Sequence, residues 1–324
     1  VARQSFETVL AARSQEARDG GDSISEPVAR RLSSALMNVG QVSHDLRDLP
    51  AARSCFEQAV QVRRQLTLLR PESYGPLLAA GLNSLGMVCS SQGPNGYDLA
   101  RGYLRESVEL YRRFAREAPK VYQPLLARTL SDVGAVEFDA GQSTVARSHF
   151  EESLGIYQEL AAGQPELFKP ELARAMLNFG AVVDEGESLR LYEAAAAILE
   201  SDELTLTVSL AEQRLICWSN LGRLRRRRAV RQFDNADTTK SSVDKSLDVS
   251  DELCSARRAL RTARDHAESF RGSFQSSQQK RRVQLEAVEV YEQLVLTCLD
   301  RWQLDGNPEW LHEAMEVADA ARAR

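Results

Sequence analysis

No stretch of this chain approaches the roughly 20 consecutive apolar residues that a membrane-crossing helix needs, so no membrane partner is expected. Aromatics supply only 6% of the residues, and glycine and proline are modest, whereas Ala, Leu, Glu and Arg dominate, which points to helices rather than sheet. The cysteines (Cys55, Cys89, Cys217, Cys254 and Cys298) occupy apolar helical positions without CxxC spacing, and nothing at the N-terminus resembles a signal peptide. A reducing cytoplasm is the expected compartment. His44, His149, His266 and His312 are too far apart in sequence for a metal pair, and no serine or cysteine stands in a nucleophile-elbow context such as G-x-S-x-G. Neither catalysis nor a metal or cofactor is therefore expected of this segment. With a net charge of −5 and both signs mixed throughout, the composition makes no general case for nucleic acid.

What the chain does have is a period. An apolar residue precedes a glycine at one fixed offset in Leu36-x-x-Val39-Gly40, Leu82-x-x-Leu85-Gly86, Leu130-x-x-Val133-Gly134, Met176-x-x-Phe179-Gly180 and Trp218-x-x-Leu221-Gly222. The glycines stand 46, 48, 46 and 42 residues apart. Recurrence at this length marks stacked units, none of which can bury its apolar face alone. Fifteen residues before three of the glycines comes a proline motif, Pro71-x-x-Tyr74-x-Pro76, Pro119-x-x-Tyr122-x-Pro124 and Pro165-x-x-Phe168-x-Pro170. Each reads as a helix stop, a packed aromatic and a helix start at the second proline. The turn sequence Gly93-Pro94-Asn95-Gly96 accounts for the longer second unit.

After Gly40 come Ala52, Phe56 and Ala59, and after Gly134 come Ala146, Phe150 and Ser153, at offsets of 12, 16 and 19. Small residues at that spacing let a second helix approach the first, with the aromatic filling the wedge between them. Each unit is therefore expected to be a helical hairpin. The fourth unit lacks these offsets, having Tyr192-Glu193-Ala194-Ala195-Ala196-Ala197 instead, which leaves its second helix poorly placed.

The W-x-x-L-G, Ala and Phe positions resemble the tetratricopeptide repeat, with a unit longer than usual because the second helix runs on. The stretch Leu126 to Gly134, with Tyr157-Gln158-Glu159-Leu160-Ala161, resembles the long repeats that precede CHAT domains, cysteine proteases related to caspases and separase. The tail from Val288 through Trp310 to Arg324 is similar to the helices just before such a domain. Kinesin light chains carry comparably long repeats and are the competing resemblance. These likenesses imply an all-α, right-handed superhelix (α-solenoid) of about six hairpins.

The organisation expected along the chain is repeats over 1–228, a polar insertion over 229–250 and further helical repeats over 251–324, leading toward a downstream domain. Both ends look cut. The chain opens at Val1 with Phe6, Val9 and Leu10 already in helical spacing, and it stops at Arg324 inside a helical pattern. In the fifth unit, Arg223, Arg225, Arg226, Arg227, Arg228 and Arg231 precede a polar stretch from Gln232 to Ser250, read as a loop, and a helix is expected to open only at Asp251. At about 100° per residue these arginines fall on every side of a helix, so they suit a solvated helix end better than a basic stripe. Arg225, Arg226, Arg227, Arg228 and Arg231 are a candidate patch for an anion or an acidic partner, which Asp234, Asp237, Asp244 and Asp248 of the loop could neutralise.

The favoured candidate site is a groove. Two residues before each glycine stands Asn38, Ser84, Asp132, Asn178 or Asn220, pointing away from the packed positions and polar in all five units. Such a ladder suits the backbone of an extended or helical peptide, with Asn83, Arg128, Arg174 and Arg223 flanking it to grip carboxylates. The functional expectation is a protein-interaction scaffold, the regulatory region of a CHAT-type protease whose catalytic domain lies beyond Arg324. Its partner would be a protein or peptide, or its own downstream protease domain. The alternatives are a stand-alone adaptor like a kinesin light chain and, weakest, nucleic-acid contact through Arg223 to Arg231.

Overall fold

A computed structural model describes residues 25–201, 207–234, 242–269 and 277–322. Phe6, Val9, Leu10 and Asp237 lie outside the described residues. Among the described residues there are twelve α-helices and no strand. In chain order they are α1 (Glu26–Asp45), α2 (Leu49–Leu69), α3 (Pro71–Ser90), α4 (Tyr97–Glu117), α5 (Pro119–Asp139), α6 (Ser143–Gly163), α7 (Pro165–Gly180), α8 (Glu185–Leu199), α9 (Val208–Asp234), α10 (Ser242–Ser269), α11 (Ser277–Asp305) and α12 (Glu309–Arg322). They form two compact units, divided after Leu160 near the end of α6.

Each unit is an all-α solenoid. In the first, helices neighbouring in sequence pack on one another, and α3 also touches α5, the first helix of the next hairpin. In the second, α7 to α12 pack in the same sequential way, and α9 touches both α7 and α11. Each hairpin thus packs on its neighbours rather than around one shared centre.

The glycines are where the paired helices come closest. A Cβ added at Gly40 would lie 2.6 Å from the ring of Phe56, and one at Gly134 would lie 2.6 Å from that of Phe150. Only a residue without a side chain lets the ring in. Gly86 and Gly222 play the same part against Leu104 and Leu260, and Gly180 against Tyr192. The offsets seen in the first and third units therefore return in shifted form. In the fourth unit the turn is one helical turn shorter, and Ser188, Tyr192 and Ala195 take the three places; all are buried, and α8 is a regular helix. In the fifth unit the places fall to Ala256, Leu260 and Ala263 of α10, also buried. The sixth hairpin changes the residue at both places. Leu294-x-x-Thr297-Cys298 repeats the first-helix pattern with cysteine at the glycine place, and Ala314 stands sixteen residues on, where a ring would be; both are buried.

Hydroxyl groups tie the hairpins where alanine does not. Ser107 donates to the carbonyl of Ala79 at 2.8 Å and Ser153 to that of Ala127 at 2.7 Å, both fully buried. Such bonds satisfy polar groups that would otherwise be costly inside the stack.

Two local expectations are corrected. In each proline motif the helix begins at the first proline, and Pro76, Pro124 and Pro170 lie inside α3, α5 and α7. The first position of a helix needs no amide hydrogen, so proline is free to open it, and the second proline forgoes one bond close to the helix start. The polar stretch after the arginines is also largely helical. α9 continues to Asp234 and α10 already starts at Ser242, with Val249 buried against the cluster that holds Ala229 and Leu253.

Candidate functional site

The row two residues before each glycine takes a different form in each unit. In the first unit Asn38 is exposed on α1, while Ser84 and Asp132 are half-buried on α3 and α5. Asn83, expected to flank the groove, is instead buried, and its side-chain amide donates to the carboxylate of Asp132 at 2.9 Å. This bond ties the first helices of two successive hairpins, so both residues already serve the stack. Arg128 is exposed on α5. In the second unit Arg174 and Asn178 are half-buried on α7. Asn220 accepts from Arg223 at 2.5 Å.

The arginine run occupies the second half of α9 and reaches its last turn at Arg231, but it is packed among other helices rather than solvated. Arg223 is held by Glu286 and Glu289 of α11, Arg225 by Glu193 of α8 and Glu252 of α10, and Arg226 by Asp300 of α11 at 2.7 Å. Arg228 also meets Glu252, and Arg231 pairs with Glu185 at the start of α8 at 2.7 Å. A helix with neighbours on three sides meets carboxylates from each of them. The all-round distribution on the helical wheel, read from sequence as solvation, is thus the signature of a central helix. The expected patch is corrected accordingly: Arg225, Arg226, Arg228 and Arg231 are committed to ion pairs, and the carboxylates that pair with them come from α8, α10 and α11. Arg227 is exposed and has no ion pair among the described residues.

Beside α9 the second unit holds a cavity of about 550 Å³ whose lining includes Tyr192, Asn220, Arg227, Arg231, Glu289 and Gln293. Arg223 and Arg226 border it as well, so four guanidinium groups face it against the carboxylates of Glu185 and Glu289. Burial pushes the phenol of Tyr192 up to about 12, so it faces the cavity as a neutral ring and hydroxyl. The same cause pushes the thiols of Cys217 and Cys298 up to about 12, which removes the thiolate that nucleophilic chemistry would need. Among the described residues no group of three or more His, Cys, Asp or Glu is placed to hold a metal ion, and no helix is long and apolar enough to cross a membrane.

The family model of the tetratricopeptide repeat matches residues 32–67, which is the α1/α2 hairpin. That one hairpin is thus similar in sequence to the tetratricopeptide repeat. No curated protein matches the chain. Solved structures similar to it include BtubC (BKLC) from P. vanneervenii, at 14% identity and a TM-score of 0.46 over 85% of this chain and 93% of that one. A second is Nro1, described as a hypoxic regulator of sterol synthesis and a nuclear import adaptor, at 14% identity and a TM-score of 0.45 over 98% of this chain and 99% of that one. A third is the apo quorum sensor NprR from B. thuringiensis, at 12% identity and a TM-score of 0.43 over 98% and 97% of the two chains.

Glu289 and Gln293 of α11 escaped the sequence reading. The signal that would have found them is the sixth copy of the pattern ending in Cys298, hidden because its glycine is replaced.

Proposed function

We propose that this chain is a protein-interaction scaffold that holds a peptide segment of a partner, and that it serves as the regulatory region of a CHAT-type cysteine protease. The observation that carries the interaction reading is the arginine-lined cavity beside Asn220, which presents amide, guanidinium and carboxylate groups to one open space. Side chains held by salt bridges before a ligand arrives lose little freedom on binding it, which favours recognition. The CHAT reading rests on the sequence resemblance of the long repeats and of the tail.

Replacing Asn178 and Asn220 together by alanine is expected to weaken capture of a displayed peptide at least about tenfold, a loss of ~1.4 kcal/mol. Unchanged affinity, measured by fluorescence anisotropy, would remove these residues from the site. The protease link is tested on the native polypeptide. A continuation beyond Arg324 that is rich in strands and carries a histidine and a cysteine supports it, and a native stop there leaves the stand-alone adaptor. Nucleic-acid contact through Arg223 to Arg231 is the weakest reading, because five of the six arginines already have carboxylate partners.

A further inference from the structure

The first helices of the first five hairpins carry a polar residue two places before the glycine, and α11 departs from this rule. At the corresponding place before Cys298 it has Leu296, which is 39% exposed. On the same side of the helix lie Leu285 and Val288, 66% and 59% exposed. At about 100° per residue these three side chains fall within one sector of α11, next to the sector that carries Glu289 and Gln293 into the arginine-lined cavity. An exposed apolar stripe thus borders a polar cavity along one helix. Exposed apolar side chains gathered in this way, rather than scattered singly, mark an interaction surface.

We propose that the cavity and the apolar stripe of α11 form one site, which takes an amphipathic helix of a partner protein bearing a carboxylate on one flank of its apolar face. The carboxylate meets Arg227, and the apolar face covers Leu285, Val288 and Leu296. The proposal rests on the interaction reading above and names the chemistry of the partner. Charge complementarity selects an acidic flank. Arg223 engages two carboxylates and Arg225 and Arg228 share Glu252, but Arg227 meets none and faces the opening. Glu292, exposed within the stripe, requires an amide or a cation opposite it. Asn220 and Gln293 are placed to meet polar groups at the edge of the apolar face. An apolar stripe on a partner helix that lies along a groove is read at i, i+3, i+4 and i+7, matching the 3.6-residue period of α11 itself.

The number of uncommitted cations separates this occupant from nucleic acid. With one new ion pair, affinity should fall only about fourfold between 50 and 200 mM salt, whereas six or more phosphate contacts would cost about 10³-fold or more. The test uses the chain as it stands, with a random library of twenty-residue displayed peptides as the probe. The enriched peptides are then measured against the chain and three variants at exposed positions, Arg227→Glu, Val288→Asp and Leu296→Asp, each checked for unchanged helicity. The expected result is enrichment of sequences with apolar residues at helical spacing beside Asp or Glu. Affinity should drop at least about tenfold in both aspartate variants and several-fold in Arg227→Glu, with the weak salt dependence given above. Enriched peptides that bind all three variants as well as the parent would overturn this site while leaving the interaction scaffold standing. Failure to enrich any peptide would overturn both. A single-stranded oligonucleotide that binds with the steep salt dependence and is lost in Arg227→Glu would replace the protein partner.

Discussion

The two units use the same contact between paired helices and differ in what surrounds it. In the first unit, the α1/α2 and α5/α6 hairpins seat a ring on a glycine, and buried serines bond backbone carbonyls across the α3/α4 and α5/α6 hairpins. In the second, Tyr192 and Leu260 stand against the glycines, and an arginine-rich helix ties three others together through ion pairs. The difference teaches that the repeat is a steric pairing rather than a fixed residue. One partner must yield the space that the other fills, and the charged surround is free to change.

The largest expected effect probes the steric pairing directly. Truncating Phe150 to alanine should cost about 3–5 kcal/mol, because the ring is fully packed and the space beside Gly134 cannot close. Thermal or urea unfolding measures this loss, and a loss under 1 kcal/mol would show that the wedge is not the main packing contact. The sixth hairpin offers the sharper version. Ala314→Phe alone should overpack it and cost about 1–3 kcal/mol, and adding Cys298→Gly should recover most of that loss. A double-mutant cycle with no coupling would separate the two positions and break the analogy between the sixth hairpin and the first.

The charged surround is tested next. Asp300→Ala should destabilise the second unit by about 1–3 kcal/mol, since both members of the Arg226 pair are mostly shielded from water and the guanidinium would be left without its partner. Arg227→Ala should change stability by less than about 0.5 kcal/mol, as befits a surface residue without such a partner. Equal losses would mean that the pairs on α9 carry no specific weight.

The smallest effect is expected from pH. Burial holds His149 below its usual range, against the weaker pull of Glu152 and Glu137. A histidine with a lowered folded pKa binds its proton more readily in the unfolded chain, so stability is full above about 6.5 and falls as pH drops toward the folded value. His149→Gln should flatten that part of the stability profile, read as the change in melting temperature between pH 7 and pH 5.5. A parallel profile in the variant would assign the acid sensitivity to other groups.

Much of the fold was legible along the chain because the contacts that define a hairpin join residues close in sequence. The five glycines, the opening prolines and the ring sixteen residues on all lie within one repeat, and periodic spacing displays them. Legibility failed where the turn length changed. Ser188, Tyr192 and Ala195 keep the spacing of their group but shift as a block, and Ala256, Leu260 and Ala263 shift much further. Added turn length costs little free energy, so the chain can vary it without altering the packing. The sixth copy was hidden for a different reason, since Cys298 and Ala314 change the identity at both places. The candidate site was legible only as a row of polar residues. That Asn83 turns inward to Asp132, and that Asn220 is held by Arg223, depend on neighbours in other helices.

By itself the sequence determined that this protein is built of helical hairpins and which residues meet inside two of them, because a helix repeats every 3.6 residues and each hairpin is a local structure. Only the tertiary structure decided the fate of the arginines. Their carboxylates come from Glu185 and Glu193 upstream and from Glu252, Glu286, Glu289 and Asp300 downstream. Charge attraction has no sequence period, so which cation meets which anion, and that Arg227 is left to face the cavity, follows from how the helices stack.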